Sequence, residues 1–307
     1  MIGWLTQNNV VGQSNVTTDF AKKYQTMDGF GSFSSINNNW STTFNAGFVD
    51  KLVNDLGANI SRQALSHDFE NTNDNSDPNV SDLTKFNDNS MKDEFDYWKA
   101  IKAANANTKF IISVWTPPVW MKENGHACEY GDPIYTCGGR LKYDMYEEFA
   151  ERCVAFIKIL KQQTGIDLYA FSLQNELAFD QPFVSCVYTP EEFVNILKVV
   201  GSRFKKEGIT TKIFGPEDIG YFDRVMQYIN GALNDPLARD YIDIIAVHGY
   251  ASNGISPNSP DAITWRDMGA PGAKFNKPFW MRGVSARLPP YPARYFSPFQ
   301  GSIYCFA

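Results

Sequence analysis

Apolar residues along this chain fall into short β-branched or aromatic runs, separated by longer stretches with a helical period. The runs ending near Phe33, Leu65, Trp115, Gln174, Phe214, Val247 and Met281 read as strands. Between them, residues 42–56, 91–104, 141–163, 190–204, 221–233 and 260–268 read as helices. In the longest of these, Phe149, Val154, Phe156, Ile157 and Leu160 share one apolar side. The helix at 190–204 opens with Pro190, Glu191 and Glu192 and ends in basic residues, as the helix dipole favours. Two polar segments interrupt the pattern. Residues 28–31 (Asp-Gly-Phe-Gly) read as a turn needing glycine, and residues 71–89 as an Asp/Asn/Ser loop too polar to pack.

Strand and helix alternate from about residue 23 to 281, the signature of a parallel sheet with helical crossovers. A doubly wound sheet would carry a glycine-rich phosphate turn after its first strand, and none is present. Polar residues recur instead at strand ends, as in a (β/α)8 TIM barrel, where active-site groups gather at the C-terminal mouth. We therefore expect an N-terminal arm over 1–24, a barrel over 25–281 and an atypical tail over 282–307. Only seven units are legible, so the eighth is expected to be incomplete or degraded. The tail carries four prolines and little helical period. An unusual strand at 301–307 is one way it could close the barrel against open edges.

The strand ends collect Arg62, Trp115, Asn175 with Glu176, Glu217, His248 with Tyr250, and Trp280. Glycoside hydrolysis needs this kind of set: one carboxyl to protonate the leaving oxygen, a second carboxylate as nucleophile or base, and donors for sugar hydroxyls. The acid must hold its proton near neutral pH, which takes burial or a neighbouring carboxylate. Glu176 is the candidate acid/base, Asn175 a ligand for a sugar 2-hydroxyl, and Trp115 and Tyr250 walls for the flat faces of sugar rings. Each residue has a purely structural alternative. Arg62 could only bridge strand-end carboxylates, Glu217 and Asp218 could only cap the following helix, His248 could be a structural hydrogen-bonder, and Trp280 could be core.

Composition trims the alternatives. The formal charge of −6 argues against nucleic acid or an anionic membrane as partner. No apolar run is long enough to span a bilayer. His67, His126 and His248 show no metal-ligand spacing, and neither a cofactor nor a metal is expected. No basic leader with an apolar core is visible at the N-terminus. Three glycosylation triplets, at Asn15, Asn39 and Asn79, and a possible local disulfide between Cys128 and Cys137 lean towards an extracellular protein. A monomer is expected.

The segments Trp115-Thr-Pro-Pro-Val-Trp-Met121, Leu173-Gln-Asn-Glu176, Gly215-Pro-Glu217 and Lys277-Pro-Phe-Trp-Met281 occur in an order and spacing that resembles glycoside hydrolase family 30. These are clan A retaining β-glycosidases, among them glucosylceramidases, β-1,6-glucanases and glucuronoxylanases. The resemblance covers roughly residues 25–281. It implies a β-linked oligo- or polysaccharide or glycoside as substrate and Glu176 as acid/base. It also implies that Asn175, Arg62, Trp115, His248 and Tyr250 line the glycone pocket, with Trp280 in the seventh-strand motif. One departure stands out. Where the family continues after Trp-Met to its nucleophilic Glu, this chain has Arg282 and then Gly283, so the nucleophile is absent. The family's eighth unit and side β-sandwich are not recognisable either. A frameshift, unspliced intron or truncation near codon 282 would explain these losses together, and a carbohydrate-binding pseudoenzyme is the alternative.

Overall fold

The structure is a computed structural model that describes residues 19–21, 26–33, 45–128, 138–181, 183–249, 262–284 and 302–306. Tyr250, Cys137, Asn15 and Asn39 lie outside them, as does most of the expected N-terminal arm. Eight strands form a closed barrel. They are β1 (Gly29–Phe33), β2 (Ile60–Leu65), β3 (Lys109–Val114), β4 (Ala170–Ser172), β5 (Lys212–Pro216), β6 (Ile242–His248), β7 (Phe279–Val284) and β8 (Ser302–Phe306). Adjacent strands from β1 to β7 pair in parallel. Strand β8 runs antiparallel to both β7 and β1 and so closes the ring. The chain thus keeps a TIM-barrel core whose eighth strand runs in reverse.

Around the strands lie α1 (Ala46–Asp50), α2 (Lys92–Ala104), α3 (Tyr146–Thr164), α4 (Pro190–Lys206), α5 (Phe222–Asn234), α6 (Pro236–Tyr241) and α7 (Ala262–Ala273). The expected helix at 42–56 is α1 continued by one wide π-type turn over Lys51–Asp55, after which Gly57 turns the chain at φ 73°. Helix α4 starts as its sequence demands. Thr189 accepts from the Glu192 amide at 3.2 Å while Glu192 accepts from the Thr189 amide at 2.6 Å.

The period-two alternation of each strand divides the core in two. Phe33, Ile60, Ile111, Ala170, Phe214, Ile244, Ala246 and Trp280 fill the barrel. Ile112, Val114, Phe171, Ile213, Ile245 and Val247 face the helices. Strand residues that face helices are mostly apolar because both faces of a parallel sheet are covered. One polar exception, Ser61, is paired: Trp98 of α2 donates to its hydroxyl at 3.0 Å.

Two expectations are corrected here. The segment 28–31 is not a turn, because Gly29 to Gly31 belong to β1. Its glycines serve close approach instead: a Cβ on Gly31 would overlap the Ile60 backbone, and one on Gly29 would overlap the Asn59 side chain. The loop at 71–89 is not too polar to pack. Its Asn and Asp side chains hold their own backbone in successive turns at Asn73, Asn75 and Asp77. The buried Arg203 of α4 then docks it by donating to the Pro78 carbonyl.

Candidate active site

The C-terminal ends of β3 to β6 are joined by backbone hydrogen bonds that continue past the strands. Asn175 donates to the Val114 carbonyl at 2.7 Å, Glu176 to that of Glu217 at 3.1 Å, Glu217 to that of Ala246 at 2.8 Å, and His248 to that of Asp218 at 2.8 Å. Within this arc Glu176 and Glu217 adopt left-handed backbone, at φ 49° and 56°. Non-glycine residues rarely occupy this region, and it is concentrated at functional sites. The conformation turns each side chain off the strand line and over the barrel interior.

Arg62 of β2, 1% exposed, organises the floor of the mouth. Its Nε donates to Ser113 Oγ at 3.1 Å, and its Nη2 donates to Asn175 Oδ1 at 2.7 Å and to Glu217 Oε1 at 3.1 Å. The guanidinium also lies 4.5 Å from the centre of the Trp115 ring and 5.4 Å from that of Phe33. These two rings stack on each other at 5.2 Å. Because the amide oxygen of Asn175 is taken by Arg62, its NH2 group is oriented away from the guanidinium, suited to donate to a hydroxyl.

His248, 1% exposed, stands between the two carboxylates. Its Nδ1 is 2.9 Å from Glu176 Oε1 and its Nε2 is 3.3 Å from Glu217 Oε1. An imidazole can donate to both sides only as the imidazolium; in the neutral form one carboxyl must carry the shared proton. The other oxygen of Glu176 accepts from Gln181 Nε2. The Glu176 side chain keeps 12% exposure, while that of Glu217 is wholly buried. Gln174 fixes the turn from below, donating to the carbonyls of Trp115 at 2.7 Å and Asn175 at 2.9 Å.

Arg62, Trp115, Asn175, Glu176 and His248 therefore meet at one mouth, and Tyr250 lies outside the described residues. Glu217 does not cap the helix after β5; it is the buried counter-ion of Arg62. Asp218 accepts from the Gly220 amide at 3.2 Å and from Arg224 at 2.7 Å, fixing the approach to α5. Trp280 is a correction. It is fully buried near the N-terminal ends of the strands, stacked on Tyr169 at 6.2 Å and donating to Asp28 Oδ2 at 2.8 Å. Trp280 sits early in β7, so its side chain fills the base of the barrel and does not reach a sugar. Gly283 lies in β7 one residue after Arg282, the partner of His248 in the sheet register, and brings no carboxyl group. Gln181 and Phe33 were not singled out in the sequence, and only the five-residue spacing of Gln181 from Glu176 hints at its role.

Cys128 is disulfide-bonded, and Cys153 and Cys186 are free and buried. No described helix is long and apolar enough to cross a membrane.

A barrel of seven parallel strands and one reversed strand, with Asn-Glu after its fourth strand beside arginine, tryptophan and histidine from other strand ends, has the kind of mouth that glycosidase barrels use. The model of the glycosyl hydrolase family 30 TIM-barrel domain matches residues 44–262, and the chain belongs to that family. It is 29% identical over 160 residues to glucuronoxylanase XynC of Bacillus subtilis, across 51% of this chain and 34% of that protein. It is 28% identical over 161 residues to an endo-1,6-β-D-glucanase of Aspergillus fumigatus, across 50% of this chain and 32% of that protein. Among solved structures, the family 30 subfamily 8 xylanase from Clostridium acetobutylicum superposes with a TM-score of 0.63 at 26% identity. That match covers 87% of this chain and 58% of the xylanase. The chain thus spans about a third of the length of the two curated relatives in the matched region.

Proposed function

We propose that this mouth is a β-glycan site of the retaining hydrolase type, with Glu176 as general acid/base and with its nucleophile position vacated at Gly283. The observation that carries the reading is Glu176 itself. It is the one carboxylate of the Arg62–His248 cage that keeps solvent access, and it is held by His248 and Gln181 at the end of the fourth strand. Arg62 fixes Asn175 to present its NH2 group to a sugar hydroxyl, and Trp115 is the apolar wall. The relatives named above, a glucuronoxylanase and an endo-1,6-glucanase, support a β-linked polysaccharide as the substrate class.

In the double displacement, a carboxylate attacks the anomeric carbon while the acid protonates the departing oxygen. Water then releases the sugar, with the same acid now acting as base. Glu176 supplies the proton in the first step and removes one in the second. The attacking carboxylate has no counterpart at this mouth among the described residues. Glu217 is no substitute, because it is wholly buried and neutralises Arg62. The unaltered chain is then a binding protein with a competent proton donor, and Gly283 is the observation that favours this second, non-catalytic reading.

The test pairs calorimetry with rescue. The chain is expected to bind xylo-oligosaccharides or β-1,6-gluco-oligosaccharides saturably and to leave them uncleaved. With an activated aryl β-glycoside, added azide or formate can attack from the vacated face, and azide would leave an α-glycosyl azide. Gly283→Glu, made in the chain extended by a relative's C-terminal part, should restore hydrolysis that Glu176→Gln abolishes. No binding of any β-glycan by the folded chain would overturn the reading. Hydrolysis by the unaltered chain would overturn the vacated-nucleophile assignment.

A further inference from the structure

Away from the mouth, on the flank of the barrel, Asp74, Glu148 and Glu151 converge so that one oxygen from each lies within 4.8 Å of the others. Asp74 comes from the loop after β2. Glu148 and Glu151 come from one face of α3, three residues apart. Such a cluster alone means little, because acidic groups often share a solvated surface. This one is not solvated. Glu151 is 1% exposed and Glu148 is 7% exposed. Neither carboxylate oxygen of Glu151 receives a hydrogen bond, nor do Glu148 Oε2 and Asp74 Oδ1, although all four atoms are buried. A carboxylate removed from water without a donor or a cation is costly enough that such groups are normally paired.

The nearby charges do not relieve it. Glu70, itself 1% exposed, adds a fourth buried carboxyl group beside them. Arg152 faces Glu70, with its Nε at 3.9 Å. One guanidinium thus stands against four carboxyl groups. Two states resolve the crowding: protons on the carboxyls, or a bound cation.

We propose that Asp74, Glu148 and Glu151 form a calcium site that clamps the loop after β2 onto α3. The ligand set is all oxygen, the preference of hard cations, with no histidine or cysteine. An ion bound at about 2.4 Å to each oxygen keeps its ligands within about 4.8 Å of one another, and the three donors meet that limit. A loop donor and two helix donors give an adaptable geometry, which suits calcium better than the strict octahedron of magnesium. The clamp has a reach beyond itself. The same loop begins at Glu70, whose carbonyl accepts from Trp120 Nε1 at 3.1 Å, and Trp120 belongs to the segment that leads away from the mouth after β3. Calcium would therefore stiffen one wall of the glycan cleft.

The full chain, stripped with a chelator and dialysed into metal-free buffer near neutral pH, tests this. Millimolar calcium should raise the thermal midpoint by about 5 °C, and magnesium should do markedly less. Terbium should bind one per chain with tyrosine- or tryptophan-sensitised luminescence, and calcium should displace it. Asp74→Asn, which keeps the shape of the side chain, should weaken terbium binding about tenfold. Glu151→Gln should abolish it. Absence of both the melting shift and the luminescence would overturn the proposal in favour of protonated carboxyls. So would an undiminished response in both variants.

Discussion

Replacing Glu217 with glutamine removes the charge that neutralises Arg62 while keeping the shape of the side chain. The pair lies 3.1 Å apart with side-chain exposures of 2% and 0%. At an effective dielectric constant of about 20, that separation corresponds to about 5 kcal/mol of attraction. The amide oxygen of glutamine can still accept from Arg62, and the Trp115 face at 4.5 Å offers partial compensation. Breaking one partner of a buried pair typically costs about 3–5 kcal/mol. Glu217→Gln is therefore expected to lower the thermal midpoint by about 5–8 °C for a chain of this size. Arg62→Met should cost a similar amount, because it strands Glu217 instead. The double variant should be less destabilised than the sum of the two, with a coupling of at least about 1 kcal/mol in urea denaturation. A Glu217→Gln chain within about 0.5 kcal/mol of the parent, or strictly additive effects, would refute the view of Glu217 as a structural counter-ion. Its exposure as a second mouth carboxylate would then have to be reconsidered.

Further outcomes follow from other parts of the molecule. Burial raises Glu94 to about 7, so its folded form keeps a proton that the unfolded chain releases near 4.5. The stability this gives is fully present below about pH 4.5 and is lost as pH rises through about 7. The loss amounts to about 3 kcal/mol, and Glu94→Gln should flatten that part of the stability profile measured by denaturant titration. Trp280→Phe removes a buried donor to Asp28 at 2.8 Å. It should cost about 1–3 kcal/mol of stability in urea while leaving oligosaccharide affinity unchanged by calorimetry. Gly201→Ala would drive a methyl group into the Tyr241 ring. It should destabilise by about 1–3 kcal/mol in the same denaturation assay.

The barrel was legible because its strands and helices obey different periods, and because Asn175 and Glu176 come just after β4 and His248 ends β6. The reversed closing strand was legible only as a need to cover two edges, since the proline-rich sequence before Ser302–Phe306 shows little helical period to announce a unit. Trp280 misled for a geometric reason. A strand-end motif does not reveal how deep in the barrel each residue sits, and Trp280 precedes the end of β7 by four positions. Glu217 misled for another reason. An acidic residue before a helix looks like a cap, and only the Arg62 guanidinium from a strand three positions away in the ring shows otherwise. The loop at 71–89 looked unpackable because polarity was read as exposure, whereas its side chains bind its own backbone and a buried arginine.

The backbone hydrogen bonds that run on from β3 to β6 carry a consequence for how such a site can change. They rivet four adjacent strand ends into a single rigid arc holding the acid, its histidine and its asparagine. The position at Gly283 lies beyond that arc, on the strand whose other neighbour is the reversed β8. Sequence change on the β7–β8 side can therefore erase one half of the chemistry without disturbing the alignment of the other. By the same insulation, a carboxylate supplied there, by substitution or as a small anion, would meet an acid that is already in place.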